Sequence, residues 1–159
     1  MSDEPHDAAC ASCGAAALGS ESRRSFLQVA ATLGLAIAFA EGIRAASERR
    51  YPIPQSDSVT IDKTSQVIVV RYQTHLYAFN LACPHQNQML RWLPKDNRFQ
   101  CPKHDSKYQP NGTFMNGRAT RNMDRLAVRV EGAELVVNVD KMFQSDKDPA
   151  GWAGATAAI

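Results

Sequence analysis

The chain has 159 residues, 44% apolar and 21% charged, which excludes a disordered tail and a multi-span membrane protein and suits one domain with an appendage. The formal net charge of +2 divides unevenly: residues 1–40 hold two Lys/Arg against four Asp/Glu, and residues 41–159 hold 16 against 12. So small a surplus argues against nucleic acid as a partner, since nucleic-acid-binding domains carry a strongly basic stripe.

Residues 1–21 form a small-residue tail with one C-x-x-C pair, Cys10 and Cys13, whose Ala-rich surroundings carry no second pair. Ser22, Arg23, Arg24, Phe26 and Leu27 follow, then an apolar stretch to residue 40; together they resemble a twin-arginine export signal. The stretch is shorter than the roughly 20 apolar residues of a full bilayer span. Two fates stay open: cleavage after Ala38-Phe39-Ala40, or retention of 22–46 as an anchor helix lengthened by Gly42 and Ile43.

From Tyr51 the texture changes. Tyr51-Pro52-Ile53-Pro54 reads as an extended entry, because a residue before proline avoids the helical region. β-branched and aromatic runs then alternate with turn residues. Strands are predicted over 66–72 and 75–80, joined about Gln73-Thr74. Shorter ones over 89–93 and 98–100 flank a turn at 94–97. Asn111-Gly112 signals another turn. A last hairpin joins 125–130 to 134–139 about Glu131-Gly132. In it Leu126, Val128 and Val130 alternate with Ala127 and Arg129, so one face points to a core. No long helical pattern follows Arg50. The expected organisation is a cytoplasmic tail (1–21), a signal or anchor helix (22–46), an all-β domain (47–141) and a Gly/Ala-rich tail (142–159) whose Trp152 is free to pack on the domain or on a partner.

Half of the four Cys and half of the four His fall in one pattern, Cys83-x-His85-x15-Cys101-x2-His104. Each of two loops leaving a strand carries one Cys and one His. A Rieske 2Fe–2S cluster needs this, because two Cys hold one iron and two His the other. Cys83 and Cys101 would take one iron, His85 and His104 the second, with Pro84 and Pro102 stiffening the loops. Structural zinc with two Cys and two His is the competing metal, although zinc sites usually pair Cys with Cys and His with His.

Over residues 51–139 the chain resembles the Rieske iron–sulfur proteins of the respiratory, exported type. The resemblance implies a small antiparallel Rieske-type β-sandwich with a cluster-binding loop subdomain, preceded by one N-terminal helix. It implies a 2Fe–2S cofactor, and hydrogen bonds from Ser106 and Tyr108 to cluster sulfurs. Such bonds favour the reduced cluster, which places the potential in the upper part of a range of roughly −150 to +300 mV. Gln88 and Lys103 stand where respiratory members carry a pair of bridging cysteines, so no disulfide ties the loops. Gln86 stands where quinol-oxidising members usually have Leu, and Arg118 where a third loop usually has Pro.

The implied role is one-electron transfer in a membrane-associated bacterial respiratory complex, from quinol or a partner subunit to a c-type cytochrome. The anchor would sit in the inner membrane, with the domain on the periplasmic side. The alternatives are the small Rieske subunit of a periplasmic oxidoreductase, as arsenite oxidase has, and a zinc-stabilised binding module. Export supports the redox readings independently: the twin-arginine route carries folded proteins, and an iron–sulfur centre is normally inserted before export. Residues 91–125 hold eight Lys/Arg against three Asp, a basic collar suited to steering an acidic redox partner.

Overall fold

The computed structural model describes residues 47–159. The expected anchor helix over 22–46, with Arg23 and Arg24, and the Cys10/Cys13 pair lie outside the described residues. Among the described residues no helix is long and apolar enough to cross a membrane.

Two antiparallel sheets make up the fold. The larger has seven strands: β1 (Glu48–Pro52), β2 (Ser58–Asp62), β3 (Val67–Tyr72), β4 (His75–Asn80), β9 (Arg125–Glu131), β10 (Glu134–Phe143) and β11 (Ala157–Ala158). Their spatial order is β1-β10-β9-β4-β3-β2, with β11 pairing β4. The smaller sheet has four strands in sequence order: β5 (Arg91–Leu93), β6 (Arg98–Gln100), β7 (Lys107–Tyr108) and β8 (Phe114–Asn116).

Strand β3 explains the layering. Val67, Ile68, Val69 and Val70 are all buried, an unbroken apolar run that a half-solvated strand would not tolerate. Val67 and Val69 join Leu76, Ala78, Leu126, Leu135 and Val137 in one core. Ile68 and Val70 join Phe79, Leu81, Phe99, Tyr108 and Met123 in the other. The β3–β4 hairpin is therefore packed on one side by β9 and β10 and on the other by the small sheet. The large sheet bends where β4 meets β9, since only Phe79 and Arg125 pair there.

The β3–β4 hairpin turns at Gln73-Thr74 as the sequence suggests, with Gln73 at φ 56°. In the last hairpin β9 runs on through Glu131, so the turn falls at Gly132-Ala133, one residue later than expected. The alternation of β9 fades along it: Leu126 is buried, Val128 half-buried and Val130 exposed. Tyr51 and Pro52 of the entry segment close β1, which pairs in register with β10 from Glu48↔Asn138 to Pro52↔Glu134. Strand β2, which the sequence reading missed, covers the outer edge of β3.

The segment 142–159, set apart above as a tail, is knit to the large sheet. A short helix, α1 (Pro149–Gly154), begins with Asp148 accepting from the Gly151 N–H at 2.8 Å. Trp152 Nε1 donates to the Met123 carbonyl at 2.7 Å, and the buried Arg125 guanidinium lies 3.7 Å from the Trp152 ring centroid. Arg125 also donates to the carbonyls of Trp152 and Asn111, each at 2.9 Å. That guanidinium has no carboxylate partner among the described residues, and burial pulls its pKa down to about 10.

Candidate metal centre

Both loops are built on the same backbone frame. In the first, Asn87 N–H donates to the Cys83 carbonyl at 2.9 Å and Cys83 N–H to the Gln88 carbonyl at 2.8 Å. In the second, Asp105 N–H donates to the Cys101 carbonyl at 3.1 Å and Cys101 N–H to the Ser106 carbonyl at 2.8 Å. Asn87 (φ 52°) and Asp105 (φ 56°) hold the left-handed position in each, which Asn and Asp tolerate better than other side chains. The frames match residue for residue; only the histidine moves, from second to third place after the cysteine.

Cys83 and Cys101 are fully buried and form no disulfide. His85 and His104 are half-buried, with ring centroids 4.5 Å apart and planes at 88°. The Nδ1 atoms of both histidines are buried with no hydrogen-bond partner. Buried polar atoms are rarely left orphaned, and two adjacent imidazoles orphaned at the same atom point to an acceptor of their lone pairs. Among the described residues no three His, Cys, Asp or Glu side chains converge on a single ion. The two buried thiols and the two imidazole nitrogens suit a centre with two unlike irons, one held by Cys and one by His.

Burial acts on the cysteine and the histidine in opposite senses. Burial pushes the Cys83 thiol up, and a hydrogen bond with Tyr108 partly offsets this. Tyr108 Oη lies 3.3 Å from Cys83 Sγ. Burial, then the neighbouring thiol, drive the Tyr108 phenol far above its ordinary value, so it stays protonated as a donor to sulfur. The Ser106 hydroxyl accepts from Ala119 N–H at 3.0 Å, which leaves its own hydrogen free to be given elsewhere. Desolvation, then the charges of His85, Lys103 and Arg118, hold His104 below its ordinary value and favour the neutral imidazole that ligates metal.

Polar bonds brace the second loop internally. Gln100 donates to Asp105, whose carboxylate also pairs with Lys107 at 3.1 Å. A third loop closes from below: Gly117 (φ +112°) lies so near that a Cβ there would sit 2.4 Å from Ser106 Cα and 2.6 Å from the Asp105 carbonyl oxygen. The third loop was expected around Arg118; the parts that Gln100, Gly117 and Ala119 play beside the second loop were not.

The model of the Rieske [2Fe-2S] domain matches residues 46–138, more than half of the chain. The chain belongs to that family, its cofactor is a 2Fe–2S cluster, and its fold is the Rieske fold. It is 29% identical over 73 residues to the cytochrome b6-f complex iron-sulfur subunit of Chlorobaculum thiosulfatiphilum, covering 46% of this chain and 40% of that protein. It is 34% identical over 56 residues to the subunit of the same name from Synechococcus sp. (strain JA-3-3Ab), covering 35% and 33%. The matched region thus spans two fifths or less of these relatives. The crystal structure of the cyanobacterial plasma membrane Rieske protein PetC3 from Synechocystis PCC 6803 aligns with TM-score 0.44 and 24% identity, over 51% of this chain and 84% of that one.

Proposed function

We propose that Cys83 and Cys101 hold one iron of the cluster and His85 and His104 the other, through Nδ1, and that the protein transfers single electrons in a membrane-associated redox complex. The observation that carries this reading is the pair of buried, unpartnered histidine Nδ1 atoms beside two buried thiols. When bound, the cluster supplies one-electron oxidation and reduction. The chain supplies the rest. Cys83 and Cys101 sit where water is excluded; the half-buried imidazoles turn Nδ1 inward and leave their other edge toward the surface. Tyr108 and Ser106 donate to sulfur and thereby favour the reduced state.

Export and anchoring belong to residues 22–46, so the domain works on the periplasmic side of a bacterial inner membrane, in a respiratory chain. Its acceptor is a c-type cytochrome, and its donor is quinol or a partner subunit. One observation favours a second reading, the small subunit of a periplasmic oxidoreductase. Gln86 at the tip of the first loop is exposed and polar, where an apolar residue would enter a quinone pocket. Purification from the membrane with partners intact separates the two.

Iron and acid-labile sulfide analysis, with EPR of the dithionite-reduced protein, tests the site. Two irons and two sulfides per chain are expected, and His104→Ala should lose the EPR signal. One zinc and no sulfide would overturn the reading. Tyr108→Phe should keep the signal and lower the midpoint potential by about 60 mV, the equivalent of a tenfold change for one electron. An unchanged potential would remove Tyr108 from the account.

A further inference from the structure

We propose that the surface around His104 docks an acidic face of a protein electron acceptor, with Lys103 and Arg118 as its charged contacts and the groove beside Pro102 as its seat. This rests on the electron-transfer reading above and names the chemistry of the partner.

The structure sorts the basic collar into used and unused charges. Arg98 pairs with Asp96 at 3.0 Å, Lys107 with Asp105 at 3.1 Å and Arg121 with Asp124 at 2.9 Å. Arg125 is buried against Trp152. All three Asp of the collar are thereby occupied. Arg91, Lys95, Lys103 and Arg118 remain, all exposed, and none has an ion-pair partner among the described residues.

Two of these cations lie at the histidines. Lys103 directly precedes His104, and Arg118 follows the Gly117 that packs under Ser106; the charges of both act on His104. Arg91 rims a groove of about 240 Å³ that it lines with Leu93, Gln100 and Pro102. Pro102 belongs to the second cluster loop, two residues before His104. The exposed tip of the first loop, Gln86 and Asn87, adds no charge.

The remainder of the domain lacks this surplus. Outside the collar, residues 41–159 hold eight Lys/Arg against nine Asp/Glu. Arg50 and Arg129 there are tied to Glu131, Glu134 and Glu48. Lys63, Lys141 and Lys147 also have no ion-pair partner among the described residues, but acids outnumber bases outside the collar, so the net positive charge lies in the collar. A carboxylate-rich surface approaching within a Debye length, about 10 Å at 0.1 M salt, meets net attraction there. Such fields raise association rates by roughly 10- to 1,000-fold. Arg91 rims a recess lined also by Leu93 and Pro102, which suits a protein projection better than a flat lipid surface.

The test is equilibrium binding of the oxidised protein to two oxidised c-type cytochromes, one acidic and one basic at the haem edge. No electron can pass between oxidised partners, so binding is read apart from activity. The acidic cytochrome should bind, and weaken about tenfold between 20 and 300 mM salt. Lys103→Glu and Arg118→Glu should each weaken it at least about fivefold at low salt, and Lys103→Gln and Arg118→Gln by about half as much on a logarithmic scale. Arg50→Glu, with the same charge change on β1, should stay within about twofold. Salt-independent binding, equal binding of the basic cytochrome, or equal loss in Arg50→Glu would overturn the proposal. So would binding to phosphatidylglycerol vesicles but not to the acidic cytochrome. EPR separates the two levels: a wild-type protein without a cluster signal defeats the function proposed above, whereas a normal signal with salt-independent binding defeats only the docking surface.

Discussion

The two sheets are held together by different means. In the large sheet β1, β2, β3, β4 and β10 run five to ten residues, and β3 is apolar on both faces. In the small sheet no strand exceeds three residues. Its order comes from packed rings, Trp92 on Phe99 with centroids at 4.7 Å and Tyr108 on Phe114 at 5.7 Å, and from loops with left-handed corners. The large sheet buries a core that needs no cofactor. The small one keeps two thiols and two imidazole nitrogens out of water without partners, and those groups favour the folded loops only when something binds them.

Removing the cluster tests this contrast most severely. Apo-protein made by iron chelation should show amide exchange at least about 100-fold faster in loops 83–88 and 101–106 and in β7–β8. Exchange in β3, β4 and β10 should stay within a few-fold of the holo-protein. A uniform loss of protection over both sheets would show one cooperative unit and end the comparison.

The difference also decides what the sequence could reveal. The long strands were legible because their periodicity is dense: the pairings of 67–72 with 75–80 and of β9 with β10 follow from β-branched runs and turn residues. The candidate metal centre stood out for another reason: the two Cys and two His proposed to hold it are chemically distinctive and sit in two short phrases. Strand β2 was missed because Ser58-Val59-Thr60-Ile61-Asp62 offers only two apolar residues, enough for an edge but not for a strong pattern. The tail was misjudged because its attachment depends on Arg125, a residue in β9 that looks like any exposed arginine until Trp152 is placed over it. Gly117 was invisible as a support, because the close approach it permits involves backbone atoms of another loop.

Gly117 gives the next largest effect. At φ +112° with Ser106 Cα 2.4 Å from an ideal Cβ, an added methyl meets backbone that cannot swing aside. Gly117→Ala should cost about 3 kcal/mol and displace the second cluster loop, so cluster occupancy falls as well as stability. In the large sheet Gly132 (φ +60°) has nothing within 4 Å of a Cβ, and Gly132→Ala should cost only about 1 kcal/mol with full occupancy. Thermal denaturation with iron content measured on the same samples checks both. Equal costs, or full occupancy in Gly117→Ala, would show that the third loop does not support the site.

The smallest effect isolates the large sheet. Asp62 ends β2; its Oδ1 accepts from Thr64 N–H at 2.9 Å and Ser65 N–H at 3.1 Å, and its Oδ2 from Tyr51 Oη at 2.9 Å. The Ser65 hydrogen bonds, then that of Tyr51, hold this carboxyl below its ordinary range. A folded-state pKa below the unfolded one means that the unfolded chain takes up the proton first as pH falls. The stability from Asp62 is therefore complete above the ordinary carboxyl range, near pH 4, and is lost as pH drops through the depressed folded value. Asp62→Asn should cost about 0.5–1 kcal/mol at pH 7, and that cost should shrink as pH falls through the depressed folded value and the wild-type carboxyl takes up its proton. Urea denaturation across that range reads the difference directly. Because Asp62 touches neither cluster loop, the EPR signal of the variant should match the wild type; a pH-independent cost, or an altered signal, would tie the edge of the large sheet to the metal centre after all.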